Sequence, residues 1–241
     1  MDKGIGFNRN IFLHWLDATA SFRQQTADAD AMRDRLEPVV GQRISSAENQ
    51  RKAIDILNNI WIHSRDVAPM LHDEAVSRFG AAEEAETRLW LHYGMVLLAY
   101  PFFREAAAVV GQLGRRDSLI SSGEVKRRLT ATRGQLGSLN KAVERVVFSL
   151  REWDMLEEAN RRHHYTLRER CLETDDASLQ AWLVACALTA HPAEELPYLD
   201  LVRLPELFAF RISLGLDALR TSGHFAVSRQ GGGWEAVRLA R

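Results

Sequence analysis

Ten polar or basic side chains in the middle of the chain have the types and spacing that bind a polyanion. They form three groups: a basic run, a polar stretch, and an arginine pair followed by histidine. Lysine and arginine neutralise phosphates, and asparagine can read base edges. These types therefore predict contacts to duplex DNA. The candidates are Lys126, Arg127, Arg128, Ser138, Asn140, Lys141, Arg145, Arg161, Arg162 and His163.

The stretch from Ser118 to Arg170 must position these side chains, and its pattern predicts a winged helix-turn-helix. A first helix begins near Gly123 after a serine cap, and Ser138 can cap a second helix beyond the glycine-containing turn 133–137. Two extended stretches, 155–159 and 163–168, then flank a basic tip at 160–162. Apolar residues three and four apart give the second helix one buried face: Ala142, Val143, Val146, Val147 and Leu150.

The charge of this region supports a polyanion partner. Between Arg104 and Arg170 there are 14 Lys and Arg against 9 Asp and Glu, whereas the rest of the chain has 17 against 23. Such asymmetry is a modest indication of nucleic-acid binding. Two alternatives stay open: winged helices also serve as protein–protein modules, and a basic helix face is often only solvated.

The composition predicts a globular cytoplasmic protein without membrane contact. The chain has 241 residues, of which 46% are hydrophobic and 26% charged, which is enough to bury a core without disulfides. Cys171 and Cys186 fit neither a metal site nor a disulfide framework. The longest apolar stretch, Leu89–Phe103, is shorter than the roughly 20 residues that a membrane span needs.

The remaining pattern predicts a mainly α-helical fold: a helical bundle with the winged helix-turn-helix unit and a C-terminal β-hairpin. The hairpin spans 225–239 around Gly231–Gly233 and is either a second wing or a cap on a sheet edge. The expected domains are an N-terminal helical domain (1–100), a winged-helix domain (101–172) and a C-terminal helical segment with the hairpin (173–241). The expected helical stretches are Ile5–Pro38 with a polar break at Thr26–Asp30, one from Ser45 or Ser46 after a turn at Pro38–Gly41, Val67–Phe79, Glu83–Gly114, Asp175–Ala190 and Glu206–Arg220. Pro101 should kink the stretch Glu83–Gly114 or split it in two.

Motifs for catalysis or cofactor binding are absent from the sequence. It contains no phosphate-binding loop, no dinucleotide-binding glycine pattern and no serine nucleophile elbow. His63 and His72 lack partners at metal-ligand spacing. We therefore expect a protein that is not an enzyme and that has no catalytic residues, metal or cofactor.

Four stretches, taken in order, resemble the accessory protein A family of BREX (bacteriophage exclusion) systems. They are RKAIDILNNIW, LHYGMVLLAYPFFREAAAVVG, GEVKRRL with GSLNKAVERVVFSLREWDML, and RLPELFAFRISLGLDALRTSGHFAVSRQGGGWEAV. The resemblance implies a compact helical protein with winged-helix character that binds DNA beside other phage-defence proteins. It brings no catalytic residues. The chain departs from the family pattern at Trp153-Asp154, where a glycine is expected.

Three functions follow as alternatives. The first is a DNA-binding accessory protein of a defence system. The second is an interaction scaffold, which exposed apolar residues near Phe12, Trp15 and Phe22 would mark. The third is a transcriptional regulator, which would require a dimer and a palindromic site.

Overall fold

The computed structural model describes residues 5–134, 137–229, 231 and 233–240. The protein is mainly helical, about 60%, with 11 α-helices and two three-stranded antiparallel sheets in this described part. The helices are α1 (Leu13–Arg23), α2 (Ala29–Gly41), α3 (Ala47–Trp61), α4 (Pro69–Ala81), α5 (Ala85–Ala99), α6 (Pro101–Arg116), α7 (Ser122–Arg133), α8 (Leu139–Glu152), α9 (Ala177–Ala190), α10 (Tyr198–Leu201) and α11 (Leu216–Thr221). The strands are β1 (Ile120–Ser121), β2 (Leu156–Glu158), β3 (His164–Leu167), β4 (Glu195–Pro197), β5 (Phe225–Arg229) and β6 (Glu235–Leu239).

Helices α5 and α9 form the centre of the core. Every residue from Leu89 to Leu98 is buried, and so is every residue from Leu179 to Leu188, so both helices are covered on all sides. They cross closely at Gly94, where an added Cβ would overlap the indole ring of Trp182. The Trp182 Nε1 donates to the Leu71 carbonyl oxygen at 2.9 Å, which satisfies its one buried donor.

Pro101 divides the long helical stretch, as the sequence predicted. Proline has no N–H to donate and is tolerated in the first turn of a helix, so α5 ends at Ala99 and α6 begins at Pro101. The two axes meet at 117°. In the described part of the chain no single helix is both long and apolar enough to cross a membrane. Helices α5 and α6 taken together have the length and composition of a span, but the chain bends sharply between them.

The N-terminal helices confirm one predicted boundary and correct another. The Ser46 hydroxyl accepts from the Asn49 N–H and begins α3, as expected. The predicted turn at Pro38–Gly41 is wrong, because α2 continues through Pro38 to Gly41. The buried side chains of Leu36 and Val40 pack into the core on either side of the proline and hold the backbone helical there.

Between Pro101 and Leu167 the elements follow the order α6, β1, α7, α8, β2, β3. Strand β3 lies between β1 and β2, with Ile120 opposite Tyr165 and Leu156 opposite Leu167. The Ser121 hydroxyl accepts from the Gly123 N–H at 3.2 Å, so the predicted serine cap of α7 is confirmed. The turn before α8 includes Gln135 and Leu136, which lie outside the described residues.

The predicted cap of α8 is wrong. Ser138 has φ −89° and ψ −11°, which is helical rather than extended backbone, and its hydroxyl makes no capping bond. A capping side chain reaches the N–H groups of the next turn from an extended backbone. Helix α8 therefore begins without a side-chain cap from Ser138.

The C-terminal region contains the expected hairpin and a third strand. Strands β5 and β6 pair from Phe225 opposite Leu239 to Arg229 opposite Glu235, and β4 pairs with the other edge of β6. The predicted glycine turn includes Gly232, which lies outside the described residues. The predicted helix Glu206–Arg220 is confirmed only at its end, where α11 lies. Before α11, a 3₁₀ turn, Pro205–Leu207, is followed by a non-helical stretch up to Gly215.

One hydrophobic cluster includes buried residues from all three expected domains. Phe103 of α6 shows the continuity, because its ring contacts Phe7, Tyr93 and Trp153 with centroid separations of 5.2, 5.7 and 5.6 Å. The expected boundaries at 100 and 172 stay a prediction.

Candidate nucleic-acid interface

The first turn of α8 presents polar side chains to solvent. Ser138, Asn140 and Lys141 are exposed, whereas Leu139 and Ala142 between and beside them are buried. The 3.6-residue period of the helix separates these two faces. Lys141 has no carboxylate within ion-pair distance among the described residues, so its charge faces solvent.

The basic run on α7 is paired with carboxylates. Arg127 and Arg128 both bind Glu124, at 2.6 and 3.0 Å, and Lys126 binds Glu144 of α8 at 2.7 Å. The hydrogen bond from Arg127 lowers the pKa of Glu124, and the bond from Lys126 outweighs partial burial to lower the pKa of Glu144. Both carboxylates are therefore ionised at neutral pH and offset part of the positive charge that the sequence predicted here.

Arg145 has a positioning contact in addition to its charge. The side chain is half-buried on α8, and its Nη1 donates to the Asn10 Oδ1 at 2.8 Å. This bond ties α8 to the segment that precedes α1. It also holds the guanidinium in place.

The turn between β2 and β3 exposes the remaining three candidates. Arg161, Arg162 and His163 are all exposed, and neither arginine has a carboxylate within ion-pair distance among the described residues. We call the residues Asn160–His163 the tip. The His164 N–H donates to the Arg161 carbonyl oxygen at 3.0 Å, and the Ser122 N–H donates to the His163 carbonyl oxygen at 3.1 Å. These bonds close the turn and fasten it to the start of α7, so the backbone of the tip has a defined position.

A cleft of about 550 Å³ lies between α8, the start of α7 and the tip. We call it the basic cleft, because four cationic side chains and one carboxylate line it. It brings together candidates from all three groups of the sequence. Its charged and histidine lining consists of Lys126, Glu144, Arg145, Arg151, Arg162, His163 and His164.

Two features of this region were not predicted from the sequence: Arg151 in the site, and the carboxylates that pair with the basic run. Arg151 lines the basic cleft and pairs with Glu158 at 3.0 Å. It follows Arg145 by six residues and lies about 120° around α8 from it, so helical periodicity gave no signal for this residue. The neutralising role of Glu124 was readable from its i,i+3 and i,i+4 spacing to the arginines, whereas the Lys126–Glu144 pair joins separate helices and had no local signal.

The residues that would mark a scaffold are covered. Trp15 is fully buried, and Phe12 and Phe22 are half-buried. Phe12 packs on Trp15 and on Phe148 of α8, with ring centroids 4.7 and 5.3 Å apart. This stretch therefore joins the N-terminal helices to α8 instead of forming an apolar surface.

Within the described ranges, no three histidine, cysteine or acidic residues are grouped as a metal site would require. Comparison with known proteins gives no further assignment: no family model, curated protein or solved structure matches the chain. The resemblance to the BREX accessory protein family accordingly stays a prediction.

Proposed function

We propose that this chain binds duplex DNA, without catalysing a reaction on it, through a winged helix-turn-helix formed by residues 101–167. The observation that carries the proposal is the tip: two exposed arginines without acidic partners among the described residues, held by backbone hydrogen bonds beside the start of α7.

The order of elements supports the assignment of a winged helix. Three helices, α6 to α8, carry a three-stranded sheet in which β1 precedes α7 and the β2–β3 hairpin follows α8. In this arrangement α8 is the recognition helix and the hairpin is the wing. A recognition helix of this type enters the major groove by its N-terminal residues, while the wing contacts the neighbouring backbone.

Phosphate contacts would supply most of the affinity. Arg161, Arg162 and Lys141 are free to meet phosphates, and Arg127 is 76% exposed in its pair with Glu124. An exposed ion pair stabilises by only about 0–1 kcal/mol, so Arg127 can exchange its carboxylate for a phosphate at small cost. Asn140 and Lys141 would read the bases, because asparagine pairs with adenine edges and lysine with guanine edges. Two such side chains can specify only a few base pairs.

The resemblance extends this proposal to a biological setting. A DNA-binding accessory protein of a phage-defence system would act in the cytoplasm, beside other defence proteins. A large ATPase gene and a methyltransferase gene next to this one would support that setting. Neighbouring genes for unrelated metabolism would count against it, and would leave the DNA-binding proposal itself standing.

Fluorescence anisotropy with a labelled 25-base-pair duplex tests DNA binding. We expect binding at about 50 mM salt that weakens steeply by about 200 mM, since released counterions drive the association. The double variant R161A/R162A should lose at least tenfold in affinity. The matched control R203A/R211A removes the same charge from a surface outside residues 101–167 and should bind like the parent. No change in anisotropy at low salt, or equal losses in both variants, would refute the proposal.

A further inference from the structure

The base of the β2–β3 hairpin forms a groove of about 740 Å³ at the end opposite the tip. Its floor is apolar and includes the partly buried Leu167 and Leu172 and the ring of Phe208. Its rim is acidic, with five carboxylates and two arginines. We call this the acidic groove, and the carboxylates of its rim are Glu86, Glu152, Asp154, Glu157 and Glu169.

Two of the rim carboxylates have no partner in the described part of the chain. Arg168 binds both Asp154 and Glu157, and Arg170 binds Glu86 at 3.4 Å. Glu152 and Glu169 are exposed and make no ion pair among the described residues. With five carboxylates and two arginines the groove carries a formal charge of −3, and two of those carboxylates make no ion pair in the described part of the chain.

The tip has the complementary character. It carries two arginines that make no ion pair among the described residues, on a closed turn that includes His163 and is followed by the half-buried His164. Two cations thus match two carboxylates, and the aliphatic stems of arginine suit an apolar floor. The strands between tip and groove have three and four residues, about 10–14 Å at 3.4 Å per residue, so a tip cannot reach the groove of its own molecule.

We propose that the acidic groove takes the tip of a second copy of this chain. The contact joins the tip of one molecule to the groove of the next, in a heterologous arrangement that repeats head to tail. Only a short turn inserts, so the interface is small and the association is weak and transient. This inference does not rest on DNA binding, and its test contains no nucleic acid.

Sedimentation velocity on the full chain tests the proposal with two complementary variants. The tip variant R161A/R162A keeps the groove, and the groove variant E152Q/E169Q keeps the tip. At about 50 mM salt the parent should sediment faster as its concentration rises, and about 500 mM salt should abolish the increase because salt screens exposed charges. Each variant alone should sediment as a monomer at every concentration.

A mixture of the two variants gives the decisive result. It regenerates one intact contact per pair, so a dimer should form while larger species stay absent. A symmetric interface between two like surfaces would not be restored by mixing. A parent that stays monomeric at low salt, a tip variant that associates like the parent, or a mixture without dimers would each overturn the proposal.

Discussion

Gly111 lies where α6 crosses the 3₁₀ turn Pro205–Leu207 with backbone against backbone. A methyl group at this position would overlap the carbonyl oxygen of Pro205 and touch the Cβ of Phe208. Backbone cannot rotate aside as a flexible side chain can, so the helix and the turn would have to separate. The contact between residues 101–116 and the C-terminal part of the chain therefore requires glycine at position 111.

We expect the substitution Gly111→Ala to destabilise the protein by about 1–3 kcal/mol, the range for overpacking a tight core. Urea unfolding followed by circular dichroism measures this, with the slope against urea checked for a constant value. Gly215→Ala is the matched control, because nothing lies within 4 Å of a Cβ built there and its φ is −75°. Equal unfolding midpoints for the two variants would show that α6 accommodates the methyl group.

The buried His92 gives the molecule a pH dependence. Burial lowers the pKa of His92, and the hydrogen bond to Asp17 at 3.1 Å offsets only part of this effect. For Asp17, burial is the largest influence and would raise the pKa, but the bond from His92 and the charges of His92 and Arg88 together outweigh it, so the pKa is lowered. At neutral pH the pair is thus a neutral imidazole donating to a carboxylate. The imidazole Nδ1 has no partner among the described residues.

We expect the free energy of unfolding to fall as the pH drops below about 6.5, the pKa of histidine in an unfolded chain. The unfolded chain takes up a proton there that folded His92 resists, so the loss reaches at most about 1.4 kcal/mol per pH unit from this group. Urea titrations from pH 7.5 to 5.0 measure the slope. His92→Phe should flatten it, whereas His63→Gln at the exposed surface should leave it unchanged; the same slope in all three proteins would contradict this account.

At the scale of elements, local pattern predicted those boundaries that depend on neighbouring residues. Ser46 and Pro101 are examples, since a cap and a missing N–H act within one helical turn. The predicted helix Glu206–Arg220 failed before α11 for the opposite reason. Leu172 bonds to the backbone at Ala209 and Arg211, at 2.8 and 2.9 Å, so a partner far away in sequence holds this stretch extended.

The candidate site shows the same division. The exposed and buried faces of α8 follow from helical periodicity, and the tip follows from the strand pattern around it. The pairing of Lys126 with Glu144 depends on how α7 packs on α8, which no local pattern contains.

The departure at Trp153-Asp154 is also explained by packing. Asp154 adopts φ 61°, which glycine favours, while Trp153 Nε1 donates to the Ile11 carbonyl oxygen at 3.1 Å.

A buried ion pair joins α6 to the C-terminal segment. Arg104 Nη1 lies 3.0 Å from Glu206 Oε1, with side-chain exposures of 11% and 1%. Tyr93 adds a hydroxyl bond of 2.5 Å to the Glu206 carbonyl oxygen. The cost of removing both charges from water offsets most of their attraction, so such a pair adds little to the free energy of unfolding. Either partner alone would be a costly buried charge.

We therefore expect Arg104→Met and Glu206→Met each to destabilise by about 3–5 kcal/mol, and the double variant to be much closer to the parent. A double-mutant cycle of urea unfolding energies measures the coupling. The paired control is Arg211 with Glu173, 3.1 Å apart and exposed, for which the coupling should stay below about 1 kcal/mol. Additive losses at Arg104 and Glu206 would mean that the charges act independently.

Over the whole molecule, charge is distributed unevenly along one hairpin. The tip and the basic cleft are cationic, and the acidic groove at the other end is anionic. The formal net charge of −1 hides this polarity. Binding of a polyanion should therefore depend on the local surface and not on total charge.

The slope of log affinity for DNA against log salt is negative, and we expect it to become shallower by about two in R161A/R162A. Each lost phosphate contact reduces the magnitude of the slope by about 0.9. Removing charge at the groove with E152Q/E169Q makes the net charge more positive and should change the slope by much less. Anisotropy titrations at five salt concentrations distinguish the two. A similar shift from both variants would mean that net charge, and not the tip, controls binding.

The shared core has a practical consequence for experiments on an isolated fragment of residues 101–172. Phe103 is covered from three directions by rings that include Phe7 and Tyr93, and Trp153 is bonded to Ile11. A fragment cut at 101 and 172 would leave these surfaces bare to water. Such a fragment should aggregate during expression, so its failure to bind DNA would say nothing about the intact protein.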